Sequence, residues 1–554
     1  MSAGTLATWI AAAFALAGAV AAWMGRAEVA RRSVAMCLTF SAVATTWLLR
    51  ALWDADHRIA FVARHVLLTD DRLPRLLAIF AEPAGAGLVA CAVVACAGWW
   101  NGREDANGRV AGTAAAVALV LLAAPLAGRP LALLPYQPAD GAATWPFFGH
   151  PAALVAAIAL VAQVVLATLA SGRSLAQLNG GEPGAIVRMQ LGVLLAAGVH
   201  ALSWMVASVA TGGSDDLVPL TARGGMWLAV VLGSALALRV HAHGGASRLA
   251  EAEASLAALL LAIGCVLGTG GGANPSPPAL AIVCFALVVL TSAVWRGFPG
   301  DPQNWTGRVA RIGVTVVLAC TVVLLWYPDA PSAGTLRFLR SLGMVTVFSW
   351  SLLPWRRAVV AAGLVALVGG VLVPVGRGTP FVPFLVGTAS ALVGMVLAWR
   401  TGQATRGWLV AALAAASSAA GVGSLRRVVV QTPAAGGYVV TDGARLAHQG
   451  VSSYVEGNAT VLALALERVP GGTVVRAEQR EYVDARGAVL APVWRRPAVL
   501  VSPGWIHAAW LDAVAPNDQV TVRVAAIPGP WGWVVALLCL VVAIAAPGAR
   551  RPVS

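Results

Sequence analysis

The chain contains no lysine, so all 38 of its basic residues are arginines. Schiff-base chemistry and general-base catalysis by lysine are therefore excluded. Charged residues are also scarce. They make up 11% of the 554 residues, whereas 59% are hydrophobic, and the mean hydropathy is +0.78. This composition excludes both a soluble globular domain and an intrinsically disordered chain.

Cysteine offers little chemistry in this sequence. All seven cysteines lie in apolar segments and none forms a C-x-x-C pair: Cys37, Cys91, Cys96, Cys265, Cys284, Cys320 and Cys539. A disulfide framework, a thiol redox site and a zinc site therefore lack support. A phosphate-binding loop is absent too, because the glycine-rich run 268–272 lacks the required lysine. Aspartate and glutamate are assigned to loops, which argues against the carboxylate cluster of a proton pump.

Long apolar stretches dominate what is present. About fifteen of them have the length of about 17–25 residues that crosses a bilayer as a helix, and lipid offers an exposed backbone no hydrogen-bond partners. The first has no positive region before it, so we interpret it as a retained helix and not as a signal peptide. The fold class predicted is an all-α polytopic integral membrane protein. Its spans are expected at 6–25, 34–53, 76–100, 110–128, 151–170, 187–210, 225–241, 252–268, 278–295, 309–327, 338–354, 357–375, 380–398, 407–422 and 530–547.

The arginines recur in alternate loops between these spans: Arg26, Arg31, Arg32, Arg103, Arg109, Arg173, Arg188, Arg248, Arg296, Arg308, Arg356, Arg357, Arg400, Arg406, Arg550 and Arg551. By the positive-inside rule, this alternation places the N-terminus outside the membrane, which is expected to be a bacterial plasma membrane, and the C-terminus in the cytoplasm. Loop 54–72, with charges of both signs, is the exception. Orientation of the helices in the membrane explains the net charge of +14 better than nucleic-acid binding does. The lipid bilayer is therefore an expected partner and nucleic acid is not.

Residues 423–529 change character. Segments 426–431, 438–441, 461–466, 473–478 and 519–524 are rich in β-formers, and several alternate apolar with polar residues. Gly-Gly and Asp-Gly pairs separate them, which indicates a small all-β domain. The chain therefore divides into a helical domain at 1–422, an extracytoplasmic β-rich insert at 423–529, and a last helix with a short tail at 530–554.

Several segments match a known family in order and spacing. They are F-V-A (61–63), L-P (73–74), A-E-P-A-G (81–85), P-A-D-G (138–141), W-P-F-F-G-H-P (145–151), G-V-H-A-L-S-W (198–204), L-A-I (261–263), L-G-T (267–269) and A-E-Q-R-E-Y (477–482) followed by Gly487. Together they resemble the CcmF/NrfE haem lyase family of cytochrome c-type biogenesis. The resemblance spans most of the chain and agrees with the predicted topology.

The departures from that family concern haem. The family's tryptophan-rich loop corresponds to 211–224, where Asp215, Asp216, Val218 and Pro219 are the only remnants. The family's haem-ligand histidines fall near Ala156, Ala235 and Ala281, and the fourth has no counterpart around 406–415. Iron needs axial donors, for which imidazole is the usual choice. The resemblance therefore implies haem as a cofactor, but we expect it to be absent or weakly bound.

Two other histidines, His200 and His150, are candidate substitute haem ligands. His200 lies within the sixth span, where polar groups are costly and often functional; a hydrogen bond to a neighbouring helix is the alternative. His150 precedes Pro151 at the expected outer face, with interfacial packing as its alternative. His65 is expected to be solvent-exposed, and His448 and His507 to lie on the surface of the insert. His241 and His243 are expected to anchor the helix orientation.

The function predicted is a divergent CcmF-like protein of cytochrome c biogenesis or haem handling, with an assembly or scaffold role. Its expected partners are other membrane proteins of cytochrome c maturation and apocytochrome c, bound through a face that includes or is supported by Arg480, Tyr482 and Arg486. The alternative for these residues is that Tyr482 belongs to the core of the insert and that the two arginines are solvated. Whether it catalyses a reaction by itself is left open. The alternatives are a transporter or flippase, for which the resemblance reports fold alone, and a structural subunit that presents the β-domain.

Overall fold

The computed structural model describes residues 2–326 and 427–528. Short gaps interrupt these ranges at 69, 104, 106, 136–137, 139–140, 142–145, 179–183, 212–221, 243–246, 270–275, 298–304, 435, 442–443, 457–458, 470–471, 484–493, 497, 503–504 and 516–518. The helices in the first range are α1 (Ala3–Trp23), α2 (Ala27–Trp53), α3 (Ala60–His65), α4 (Arg72–Leu77), α5 (Pro83–Asn101), α6 (Arg109–Gly128), α7 (Pro151–Gln177), α8 (Gly184–Thr211), α9 (Ala222–Ala242), α10 (Arg248–Leu267), α11 (Pro277–Gly297) and α12 (Trp305–Trp326).

A long helix lies at each of the ten spans predicted before residue 328. Within the described residues, seven of these helices are long and apolar enough to cross a membrane: α1, α2, α5, α6, α7, α10 and α11. The chain is therefore a multi-pass membrane protein. The predicted spans 338–354, 357–375, 380–398, 407–422 and 530–547 lie outside the described residues.

The helix starts follow local chemistry. Ser247 caps α10, and its hydroxyl accepts a hydrogen bond from the Ala250 amide. Pro83 and Pro151 occupy the first position of α5 and α7, where a missing N–H costs nothing and the fixed φ angle suits a helix. These residues set where each chain segment enters the bundle.

Small residues let the helices approach closely. A Cβ atom added to Gly98 of α5 would lie 2.1 Å from the Ala114 Cβ of α6, and one added to Gly112 would lie 2.3 Å from the Ala22 Cβ of α1. Membrane helices rely on such contacts because lipid gives no hydrophobic drive for association. The alanine- and glycine-rich composition is therefore the packing surface of the bundle.

One expectation about the acidic residues is wrong. Glu253 lies in the second turn of α10 and not in a loop, and its carboxylate binds Arg296 of α11 at 2.8 Å. The Ser292 hydroxyl donates to the same carboxylate at 3.2 Å. Pairing with α11 offsets the cost of placing this charge within a helix.

A loop platform, formed by residues 54–82 and 129–135, covers one end of the bundle. Its two segments are joined by backbone hydrogen bonds, from the Ala60 amide to the Ala132 carbonyl at 2.9 Å and from the Leu134 amide to the Arg58 carbonyl at 2.7 Å. The His57 ring is buried and lies 2.9 Å from the Val66 carbonyl. The platform is thus held by specific polar contacts and not by apolar packing alone.

The insert forms two antiparallel sheets, in the strand orders β1-β9-β8-β7 and β2-β3-β4-β5-β6. All five predicted strand segments coincide with strands, and four more are present. The strands are β1 (Arg427–Gln431), β2 (Tyr438–Thr441), β3 (Ala444–Glu456), β4 (Ala459–Val469), β5 (Val474–Tyr482), β6 (Trp494–Arg496), β7 (Ala498–Ser502), β8 (Trp505–Val514) and β9 (Val520–Pro528).

The core of the insert lies between the two sheets. Leu464 and Leu466 of β4 are buried and belong to one apolar cluster with Val522 of β9. A side chain joins the sheets at one margin. The Gln431 amide donates to the Val440 carbonyl and accepts from the Val440 amide, at 2.6 and 2.8 Å. The predicted β-rich insert is confirmed.

Candidate functional site

His200, a candidate substitute ligand, is buried in α8 and faces α7. Its Nδ1 atom lies 2.9 Å from the Ala156 carbonyl oxygen, so this nitrogen carries the hydrogen and donates. The ring also packs on Trp204, with the ring centroids 5.8 Å apart. His200, on the neighbouring helix, therefore contacts Ala156. The family resemblance places a lost histidine at that position.

His150, the second candidate, is the N-cap of α7. Its Nδ1 atom accepts a hydrogen bond from the Ala152 amide at 3.1 Å, which satisfies one of the free donors at the helix start. His150 and the His200 contact at Ala156 are six residues apart along α7, which corresponds to about 9 Å of helix rise. Each ring thus forms a hydrogen bond with the backbone of α7 through its Nδ1 atom, and the two bonds lie at different positions along the helix.

Four other residues named from the sequence lie outside the described residues. They are the predicted site residues Asp215, Asp216 and Pro219 of the loop that replaces the tryptophan-rich motif, and Arg486 after β5; Val218 of the same loop also lies outside the described residues. Among the residues that the structure describes, no group of three or more His, Cys, Asp or Glu side chains is placed to hold a metal ion.

The loop platform contains a charged cluster around Glu82. The carboxylate accepts a hydrogen bond from His65 Nε2 at 2.9 Å and pairs with Arg64 at 2.9 Å. The expectation that His65 is solvent-exposed is wrong, since its side chain is 22% exposed and bound to Glu82. Burial alone would raise the pKa of the Glu82 carboxyl, but the hydrogen bond from His65 and the charges of His65 and Arg64 hold that pKa below its ordinary value.

Replacing Glu82 by glutamine is expected to destabilise the protein by about 1 kcal/mol at pH 7, because a charge-assisted hydrogen bond and an ion pair are lost. A depressed pKa contributes stability above the ordinary value of 4.5, and this stability disappears as the pH falls below it. The gap between Glu82→Gln and the unsubstituted protein should therefore close in acid. Thermal unfolding in detergent from pH 7 to pH 3.5 measures it.

Asp71→Asn is the matched control, because Asp71 is exposed on the same platform and its carboxylate has no hydrogen-bond or ion-pair partner among the described residues. A gap for Glu82→Gln that stays constant with pH would contradict the assignment.

The insert carries a second charged cluster, centred on Arg480 of β5. The guanidinium binds the Glu478 carboxylate at 2.9 Å and Glu456 of β3 at 3.0 Å. Burial alone would lower the pKa of Arg480, but the hydrogen bond and charge of Glu478 outweigh it, so the pKa is raised. Since the Glu478 side chain is only 8% exposed, Arg480 is its charge partner inside the domain.

Tyr482 connects the insert electrostatically with the loop platform. The residue is 4% exposed. Burial raises the pKa of its hydroxyl, Arg480 lowers it, and the Asp70 carboxylate of the loop platform raises it again. The Asp70 carboxylate is itself held in place, because it accepts a hydrogen bond from the Leu67 amide at 2.7 Å.

Two further expectations about histidines in the insert are wrong. His448 and His507 were expected at the surface, but they are 2% and 3% exposed. His448 Nδ1 lies 3.1 Å from the Ala434 carbonyl, and His507 lies on β8 between Leu500 of β7 and Ala526 of β9. Both are structural residues of the β-domain.

A buried polar network centred on Ser255 joins four helices, and the sequence reasoning missed it. The Gln190 amide of α8 donates to the Ser255 hydroxyl oxygen at 3.1 Å, and the Ser174 hydroxyl of α7 lies 2.8 Å from it. His241 Nε2 of α9 lies 3.0 Å away on the other side. His241 was expected to be an orientation anchor, and it is instead a buried member of this network. His243 lies outside the described residues.

The hydrogen bonds of this network have defined donors and acceptors. His241 Nδ1 lies 2.8 Å from the Ala237 carbonyl, which only accepts, so Nδ1 donates and Nε2 of the neutral ring accepts. Ser255 therefore donates to His241, while its oxygen accepts from Ser174 and Gln190. One hydroxyl thus uses its full hydrogen-bonding capacity. Ser255 follows Glu251 and Glu253 at the start of the apolar run of α10, so the local sequence does not set it apart as the centre of a network.

The fold is that of a known protein. A solved structure described as "Cytochrome c Heme Lyase CcmF" matches with a TM-score of 0.64, over 98% of this chain and 97% of that chain. The chain shares the fold of this haem lyase. The identity between the two is 17%, so the likeness establishes the fold, and it agrees with the resemblance read from the loop motifs. No family model and no curated protein sequence matches the chain.

Proposed function

We propose that the protein is a CcmF-like membrane component of cytochrome c biogenesis that acts as an assembly scaffold, with a degenerate haem site. The observation that carries this proposal is the fold, which follows the haem lyase over 98% of the chain and includes the β-rich insert. Several of the family-like segments of the sequence lie in the loop platform, at 61–63 and 73–74, and in the insert, at 477–482. Scaffolding needs those surfaces, whereas it does not need haem ligands.

The degenerate haem site is proposed from the alanines at the positions to which the family resemblance assigns haem-ligand histidines, Ala156, Ala235 and Ala281. His150 caps the start of α7, while His200 donates to the α7 backbone about two turns further along. Because both rings bind the α7 backbone through Nδ1, each could offer only its Nε2 atom to an iron. The two histidines therefore remain the substitute ligands that a haem assay would test.

The partner face proposed is formed by the insert together with the loop platform. Arg480 is partly exposed and lies beside the carboxylates of Glu456 and Glu478. Tyr482 is buried and would support the face from within the insert, and the charge of Asp70 in the loop platform raises the pKa of its hydroxyl. Arg486 would extend the same face. The chemistry of the face suits a partner with both cationic and anionic groups, such as another membrane component of cytochrome c maturation or apocytochrome c.

The topology proposed has about fifteen spans, with domain boundaries at 422/423 and 529/530. The insert and the loop platform are placed outside the plasma membrane and the C-terminus in the cytoplasm. The influence of the Asp70 carboxylate on the pKa of Tyr482 supports placing the insert and the platform on one side. In intact cells, an impermeant maleimide should label a cysteine at Ser452, which is exposed on β3, but not one at Arg551. The opposite pattern would invert the topology.

The test of function is affinity capture of the tagged full-length protein from native membranes, alongside a variant that lacks 427–528. Recovery of cytochrome c assembly proteins with the full-length chain only is the expected result. A pyridine haemochrome assay on the same preparation should give well below one haem per chain. Capture of no such proteins, together with normal c-type cytochromes in a deletion strain, would refute the scaffold role. One tightly held haem per chain would refute the degenerate site, and its loss in His200→Ala or His150→Ala would identify the ligand.

A further inference from the structure

An apolar groove runs along the outside of the helical bundle between α1, α6, α7 and α10. It has a cavity volume of about 340 Å³ and follows α6 from Arg109 to Val120. Its walls include Val120, Leu175 and Leu256, which are 39%, 41% and 42% exposed. Since these helices have the length and composition of membrane spans, the groove opens towards lipid and not towards water.

The groove matches one leaflet of a bilayer in length. Eleven residues of α6 separate Arg109 from Val120, which corresponds to about 16 Å of helix rise. Half of the hydrocarbon core of a bilayer is about 15 Å thick. A single acyl chain that enters from the end at Arg109 would therefore fill the groove.

Arg109 is the only charged side chain that lines this groove. It is half-buried, and it makes no hydrogen bond or ion pair with any residue that the structure describes. Neighbouring arginines at this end of the bundle do have partners. Arg103 stacks over Trp99 and Trp100, with distances to the ring centroids of 4.2 and 4.7 Å, and Arg248 donates to the Gln177 carbonyl at 3.2 Å. The charge of Arg109 is thus left for a ligand.

Two neighbours define where that ligand would lie. Trp23, at the same end of the groove, is 83% exposed, as expected for an aromatic side chain at the membrane–water interface. The N-terminus of α6 is already capped, because the Asp105 carboxylate accepts from the Val110 amide at 2.7 Å. An anion would therefore bind to the guanidinium of Arg109 and not to the helix end.

We propose that this groove binds one anionic phospholipid, with an acyl chain against Val120, Leu256 and Ile263 and its phosphate on Arg109. A phospholipid supplies both of the features that the groove requires, an apolar chain of one-leaflet length and a negative charge at the interface. The site is on a different part of the molecule from the insert and the loop platform, so it does not depend on the scaffold role.

Native mass spectrometry of the full-length protein in detergent tests the proposal, with phosphatidylglycerol or phosphatidylcholine of the same acyl chains added. The protein should retain one phosphatidylglycerol molecule in preference to phosphatidylcholine. Arg109→Gln should reduce that retention about five-fold, since one arginine near a membrane surface contributes about 1 kcal/mol. Ala116→Phe, which fills the groove from an exposed position of α6, should reduce retention of either lipid.

Arg32→Gln is the matched control for charge. Arg32 is exposed on α2, and its partner Glu28 keeps Arg31 when Arg32 is removed. Its lipid retention should equal that of the unsubstituted protein. Equal retention of the two lipids, or full retention by Arg109→Gln, would overturn the proposal. Displacement of the lipid by glycerol 3-phosphate would also overturn it, because the headgroup would then bind without the groove.

Discussion

Replacing Arg480 by methionine is expected to destabilise the insert by about 3 kcal/mol, because the buried Glu478 carboxylate loses its charge partner. Methionine keeps the apolar stem of the side chain, so packing losses are small. Glu456, the other partner of Arg480, is 58% exposed and remains solvated. The loss should appear as about 100-fold faster hydrogen–deuterium exchange of the β4 and β5 amides in the full-length protein.

The double variant separates charge from packing. Adding Glu478→Gln to Arg480→Met removes the isolated charge, so exchange should return most of the way towards that of the unsubstituted protein. Arg476→Met is the matched control, since Arg476 lies on the same strand and is exposed; its exchange should not change. No effect of Arg480→Met would mean that the carboxylate is solvated or has another partner. The same variants separate a structural role of Arg480 from direct partner binding. If the role is structural, capture of the partner proteins should fail only in the variants whose domain is destabilised.

Replacing Ser255 by alanine is expected to lower the stability of the helical bundle by about 2 kcal/mol. Three side chains lose a partner at once, and each interhelical hydrogen bond in a membrane protein contributes about 0.6 kcal/mol. The affected groups are the Ser174 hydroxyl, the Gln190 amide and the His241 ring, on three other helices. Unfolding by sodium dodecyl sulfate in mixed micelles measures the change.

Ser234→Ala is the same substitution at a matched position. Ser234 is fully buried in α9, but its hydroxyl has no hydrogen-bond partner among the described residues. Its removal should leave stability unchanged or increase it slightly, because an unsatisfied buried hydroxyl is lost. Equal losses for the two variants would show that Ser255 acts through packing alone.

The membrane helices were predictable because one strong constraint sets them. A backbone in lipid must satisfy its own hydrogen bonds, so each apolar run of sufficient length becomes a helix. The strands of the insert were harder. β4 was recognised from its alternating apolar residues, whereas β3 was missed because it is largely polar on its exposed side and contains a bulge between His448 and Gly450. Its membership of the sheet depends on β4, which a local pattern does not report.

The side-chain contacts were the least predictable part. His57 lies between Asp56 and Arg58 in a loop of mixed charge, yet it is buried because the loop folds back to present the Val66 carbonyl. His507 lies within the apolar run 505–511, a signal that marks a buried position, whereas His448 lies in a stretch of mixed polarity. In each case, residues distant along the chain supply the environment. A sequence pattern carries the periodicity of an element, but not the identity of what packs on it.

The Gln431 side chain has a consequence for association between molecules. Its amide occupies both backbone groups of Val440 on the free side of β2, a margin that also bears the half-exposed Tyr438. Without that amide, the free N–H and C=O would form a template on which a strand from another copy could add and the sheets could polymerise. Gln431 thus blocks strand addition at this margin. The domain can therefore expose apolar residues there without forming fibrils.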